Sequence, residues 1–80
     1  MSKLMEILKN TRPECDFESS NDYLEDGFFD SLTIVTVLTD IEKICNIEID
    51  IVDIEEEDFV SEDSILRMVE RFGGNVDLLK

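Results

Sequence analysis

The 80-residue chain has no histidine and no tryptophan, one proline, three glycines, two cysteines and only seven lysines or arginines. Each scarcity removes a class of chemistry. Without histidine, a serine nucleophile lacks its usual general base and a zinc site lacks its commonest nitrogen ligand. A Ser-Lys pair would need a substrate cleft and an oxyanion hole that so short a chain has no room to build. Cys15 and Cys45 form no CxxC pair and are too few for a disulfide framework, so both read as reduced thiols, Cys45 on the apolar stripe of a helix and Cys15 in a loop. No apolar run approaches the ~20 residues of a membrane span, and Glu6 interrupts MSKLMEILKN where a leader would be apolar. A cytoplasmic protein without a membrane span is the expectation. The shortage of cations leaves 21 Asp and Glu unbalanced, a net charge of -14. Such a surface repels phosphate backbones and anionic lipid, which argues against nucleic acid and for partners with basic faces.

What is present is enough for a globule. Apolar residues make up 42% of the chain and are spread along it, so composition alone does not enforce disorder despite the charge. At this length a fold buries roughly 60% of the surface of its unfolded chain. A single small domain over residues 1–74 is expected, with 75–80 as a tail that frays.

Helical spacing organises most of it. Ser2 can cap a first helix carrying Leu4, Ile7 and Leu8, and that pattern has failed by Pro13. Residues 11–30 hold Pro, Ser, Asn, Asp and Gly without periodicity and read as a long ordered loop pinned by Phe17, Tyr23, Leu24 and Phe28. From Ser31 to Cys45, LTIVTVLTDIEKIC is rich in β-branched residues, yet Ile34, Val37, Ile41 and Ile44/Cys45 recur at steps of three and four, which predicts a central helix. Next, IEIDIVDIEEEDF has no second strand to pair with and reads as an extended connector, followed by one helical turn over 55–60 anchored by Phe59. Ser61 caps a last helix, with acids in its first turn, arginines toward its end and Gly73-Gly74 to stop it. Its core face is Ile65, Met68/Val69 and Phe72. The fold class is therefore all-α: three main helices plus one short helix, with a long first loop.

The stretch EDGFFDSL, residues 25–32, concentrates the chemistry. Gly27 makes a turn, and Asp30 or Ser31 caps the central helix. An EF-hand register that puts Gly27 at the turn places Leu24 and Thr33 where an oxygen ligand and the bidentate Glu belong, so no specific calcium loop is expected. A serine at a loop-to-helix junction also suits a covalent phosphate, because the helix N-terminus offers free N–H groups and a positive dipole.

DSL at the head of the central helix, preceded by LEDGFF and followed by IVTVLTDIEKICNIEID, resembles the carrier proteins that bear a 4′-phosphopantetheine arm: acyl carrier protein and its peptidyl and D-alanyl relatives. The resemblance extends from the first helix to about Phe72 and implies an acyl-carrier-like four-helix bundle. It implies that Ser31 is the attachment point of the arm, that Asp30 helps to position the metal and the transferase during loading, and that Leu32 contacts partner enzymes. Cargo would ride on the arm as a thioester, and the chain would be no enzyme itself. The implied partners are a phosphopantetheinyl transferase, an adenylating or other loading enzyme, and an acyltransferase, synthase or condensation enzyme, acting on a monomeric carrier.

Two departures bear on subclass. Phe28 stands where fatty-acid carriers have Gly before DSL, and Thr33 and Thr36 stand where they carry acids. GFFDSLTIVTVL is more similar to D-alanyl and stand-alone aminoacyl carriers. A partner docking beside Ser31 is expected to meet Leu32, Val35, Leu38, Phe28 and Phe29, with Asp40 and Glu42 on a charged rim. The competing expectation is an acidic helical module that binds proteins or divalent cations with no prosthetic group, in which Ser31 is only a cap.

Overall fold

In a computed structural model describing all residues Met1–Lys80, three α-helices form: α1 (Lys3–Thr11), α2 (Ser31–Cys45) and α3 (Glu62–Arg71). Three short 3₁₀ turns accompany them at Ile51–Asp53, Glu56–Phe59 and Val76–Leu78, and there is no strand. The starts of α1 and α3 follow their sequence signals. Ser2 accepts a hydrogen bond from the Met5 N–H, and Ser61 accepts one from the Ser64 N–H, satisfying donors that a helix start leaves free.

The apolar stripes explain the packing. Leu4, Ile7 and Leu8 of α1, Val37 and Ile41 of α2, and Ile65, Met68 and Val69 of α3 are buried in one core with Phe17, Tyr23 and Phe59. The first helix packs on the second, and the third packs on the turn at 56–59. The Cα radius of gyration is 11.4 Å, against about 11.6 Å for a folded chain of this length.

The long first loop is held by aromatic packing. Phe17, 1% exposed, meets Tyr23 edge-on at 5.1 Å, Phe28 at 5.1 Å and Phe29 at 6.0 Å between ring centroids. Phe29 continues the cluster to Phe59 at 5.2 Å. Such pairs add stabilisation beyond their buried area, which an otherwise aperiodic segment needs to offset the entropy of its ordering.

Two expectations are corrected. Residues 75–80 are packed on the domain and do not form a detached tail: Leu79 is fully buried, its carbonyl accepts the Leu4 N–H at 3.0 Å, and the turn at Val76–Leu78 packs on α2 and α3. With a core this small, one further leucine is a substantial share of the apolar burial, so the end of the chain is recruited. The connector after α2 is not extended throughout, because Asp50 caps the turn at Ile51–Asp53 through the Val52 N–H. Where the chain leaves α3, Gly74 approaches Val69 so closely that a Cβ would lie 2.5 Å from Val69 Cγ1 and 3.0 Å from Ile47 Cδ1. Gly74→Ala is therefore expected to cost about 1–3 kcal/mol through overpacking, measured as a shift in urea midpoint with unchanged slope.

Candidate functional site

The start of α2 is built by Asp30. Its backbone is extended, its carboxylate accepts the Thr33 N–H at 2.7 Å, and its carbonyl accepts the Ile34 N–H at 3.0 Å. Asp30 is thus the cap, and Ser31 is the first helical residue, exposed to solvent. The cap role left open between the two falls to Asp30, because only the residue before the first helical one can fold its side chain back onto the first turn.

Two further devices aim this junction. Asp22 accepts the N–H groups of Leu24 and Glu25, opening a single turn that Gly27 closes at φ +75°, with the Phe28 N–H returning to the Tyr23 carbonyl at 3.0 Å. Left-handed backbone of this kind is cheap only for glycine. From the end of α1, Arg12 donates to the Phe28 carbonyl at 3.1 Å while its guanidinium pairs with Glu14 at 2.9 Å. Arg12 therefore ties α1 to the residue two before the cap, a role that no periodicity marks in the sequence.

The Asp30 carboxyl is held below the usual aspartate range, first by the Thr33 N–H, then by the Thr33 hydroxyl and the nearby Arg12 charge. The stabilisation from this cap is full above the unfolded value and is lost as pH falls through the lower folded one. Thermal melts from pH 5 downward should show a loss of Tm below about pH 4. Asp30→Asn, which keeps the cap without the titration, should shrink that limb to the part owed to the Asp58 and Glu14 carboxyls, which are also held low, Asp58 by Arg71 and Glu14 by its own backbone N–H and then by Arg12.

Ser31 opens onto an apolar groove of about 240 Å³. One wall is Ile34 and Val35 of α2, the other is Ile51, Ile54 and Phe59, with Glu55 and Glu56 at its edge. Val35 and Ile51 on its walls are exposed by 48% and 54%, Leu32, next to Ser31 in α2, by 75% and Val52, next to Ile51, by 79%.

Of the residues expected to face a partner, Leu32 and Val35 are exposed as anticipated. Leu38 is not: it is 5% exposed and shares a cleft with Ile49. The reason is Glu42, whose carboxylate accepts the Ile49 N–H at 2.8 Å and draws the connector back along α2 over Leu38. Glu42 is accordingly half-buried and structural in its contacts, and Asp40 is half-buried too. Phe28 and Phe29 turn inward to the aromatic cluster and are half-buried rather than fully displayed. Ile51 and Val52 were missed because the segment reads as an extended connector, whereas a turn at Ile51–Asp53 leaves both exposed and sets Ile51 across the groove from Val35. No three acidic or cysteine side chains converge into a metal-binding group. No helix is long and apolar enough to cross a membrane.

Comparison with known proteins adds no relative: no family model, curated protein or solved structure matches the chain.

Proposed function

We propose that the chain is a carrier protein holding acyl or aminoacyl groups on a 4′-phosphopantetheine arm attached to Ser31. The observation that carries this reading is the exposed Ser31 hydroxyl at the first residue of a 15-residue helix, relieved of capping by Asp30 and beside an apolar groove. A small all-α fold of three α-helices, with a 3₁₀ turn at Glu56–Phe59 before the last, supports the reading at the level of a helical bundle.

The donor set suits the group. A primary hydroxyl in solvent is reachable by a transferase, and the first-turn N–H groups of Ser31 and Leu32 lie at the positive end of the α2 dipole, favourable for a phosphodiester. When bound, the arm would supply a thiol for thioester chemistry. This chain's own residues do the rest. Asp30 holds the helix start and offers a carboxylate beside the hydroxyl during loading, Arg12 and Gly27 orient the junction, and Ile34, Ile54 and Phe59 present apolar surface next to the attachment point. The chain performs no catalysis in this reading.

Leu32, Val35, Ile51 and Val52 form the docking centre, and the acids around them, Asp50, Asp53, Glu55 and Glu56, steer an approaching basic enzyme. The phosphopantetheinyl transferase, a loading enzyme and an acyl-consuming enzyme would take turns on this face. The inward-turned Phe28 and uncharged Thr33 and Thr36 favour D-alanyl or other aminoacyl cargo over long fatty chains.

Incubation of the protein with coenzyme A, Mg²⁺ and a promiscuous phosphopantetheinyl transferase tests the proposal. Intact mass is expected to rise by one phosphopantetheine. No increase with any of several transferases would overturn it and leave the acidic protein-binding module, with Ser31 a plain helix residue, as the better account.

A further inference from the structure

The groove beside Ser31 has one wall on a long helix and the other on a segment with little apolar anchorage. Between Ile49 and Phe59, Ile51, Val52 and Asp53 are exposed, and only Ile54 reaches the core edge. Apart from the bonds that close the second 3₁₀ turn, such as Val60 N–H to the Glu57 carbonyl at 3.4 Å, the hydrogen bonds that residues 50–58 make outside their own segment go to two side chains of α3. Arg71 donates to both carboxylate oxygens of Asp58, at 3.2 and 3.0 Å, and to the Asp53 carbonyl at 3.3 Å. Ser64 Oγ lies 2.9 Å from the Asp58 carbonyl. The same Asp58 carboxylate accepts the Glu55 N–H at 2.9 Å and so caps the second 3₁₀ turn. One guanidinium therefore spans the end of the first turn and the start of the second, and its plane lies over Phe72, 5.7 Å from the ring centre. The planar fork of arginine makes this triple contact possible, and a lysine could not reproduce it.

We propose that Arg71 is the positioning residue for the groove: its fork fastens residues 50–58 to α3 and thereby sets the separation of the Ile51/Ile54 wall from the Ile34/Val35 wall beside Ser31. Arg71 itself does not line the groove. Release of the fork frees the wall as a unit while the helices stay packed, since Phe59 and the Tyr23 N–H to Val60 carbonyl bond at 2.8 Å hold the far end, and the Glu42 to Ile49 bond holds the near end. Segments with few buried contacts are the ones that open locally. The consequence for cargo, a wider or narrower cleft at the foot of the arm, rests on the carrier reading above. The test needs neither arm nor transferase, so the two can fail separately.

Amide hydrogen exchange by NMR in the intact protein reads the proposal directly. In Arg71→Ala the amides of Asp53, Ile54, Glu55 and Asp58 are expected to exchange at least roughly tenfold faster, the scale set by lost charge-assisted hydrogen bonds. Leu8 of α1 and Ile41 of α2 should change far less, and methyl NOEs between Ile34 or Val35 and Ile51 or Ile54 should weaken. Arg71→Lys should give an intermediate loss. Arg67→Ala is the control, because Arg67 shares the same polar cleft but makes no bond to Asp58. An equal loss of protection in the wall and the helices, no loss in the wall, or unchanged cross-groove NOEs would overturn it.

Discussion

Ser31→Ala is expected to abolish attachment of the arm completely while leaving the fold intact. Ser31 is exposed and does not cap α2, so its loss should move stability by no more than about 0.5 kcal/mol, as for surface substitutions generally. The mass shift that coenzyme A and transferase produce on the wild-type chain should fall to zero. Asp30→Ala supplies the contrast. It removes the hydrogen bond to the Thr33 N–H, so it should lower Tm, yet the hydroxyl remains and slow loading should persist. This pair separates attachment from capping by measurement: one variant loses the modification and keeps the melt, the other loses melt and keeps some modification. An arm still gained by Ser31→Ala would place the attachment elsewhere and remove the reason for the carrier reading.

Phe17→Ala should have the largest effect on stability, about 3–5 kcal/mol. Small domains have only about 5–15 kcal/mol in total, so the variant would be near the edge of folding. Phe17 is almost fully buried and touches three other rings, and it sits in the middle of a segment that has no long helix to organise it. Without it Tyr23, Phe28 and Phe29 lose their common neighbour, and the junction at Asp30 and Ser31 loses its support. Urea unfolding by far-UV circular dichroism gives the free energy, and limited proteolysis should show new cleavage between residues 13 and 28. A cost below about 1 kcal/mol, the range of ordinary surface positions, would mean that hydrogen bonds such as Arg12 to Phe28 hold the loop instead.

The elements whose cause is local were legible in the chain. Ser2 and Ser61 announce helices because a hydroxyl before an apolar-periodic run satisfies free N–H groups wherever it occurs. The span Ser31–Cys45 follows from steps of three and four outweighing the β-branched composition. Ser31 itself could be singled out because a turn glycine, an acid and a serine precede a helix, although its exposure could not. Gly27 was readable as a turn and Gly73-Gly74 as a stop for the same local reason.

The rest was not legible, because it depends on which surfaces meet. Leu38 lies on the edge of the α2 stripe, and only the return of Ile49, held by Glu42, decides that it is covered. Phe28 and Phe29 are as compatible with display as with burial until Phe17 and Phe59 provide their neighbours. The last six residues are polar enough to fray, yet Leu79 finds space beneath α1. Arg12 and Arg71 look like ordinary surface cations in a chain short of them, and their carbonyl partners lie 16 and 18 residues away.

The amino-acid sequence by itself determined three helices, an acidic surface and a candidate serine at the head of the middle helix, since capping, periodicity and charge act between near neighbours. The tertiary structure alone decided that the serine is free of capping duty, that a groove opens beside it, and that an arginine from α3 holds the far wall. Those features arise where distant segments compete for a small core and for a few unpaired carbonyls, and that competition is resolved only when the whole chain has folded.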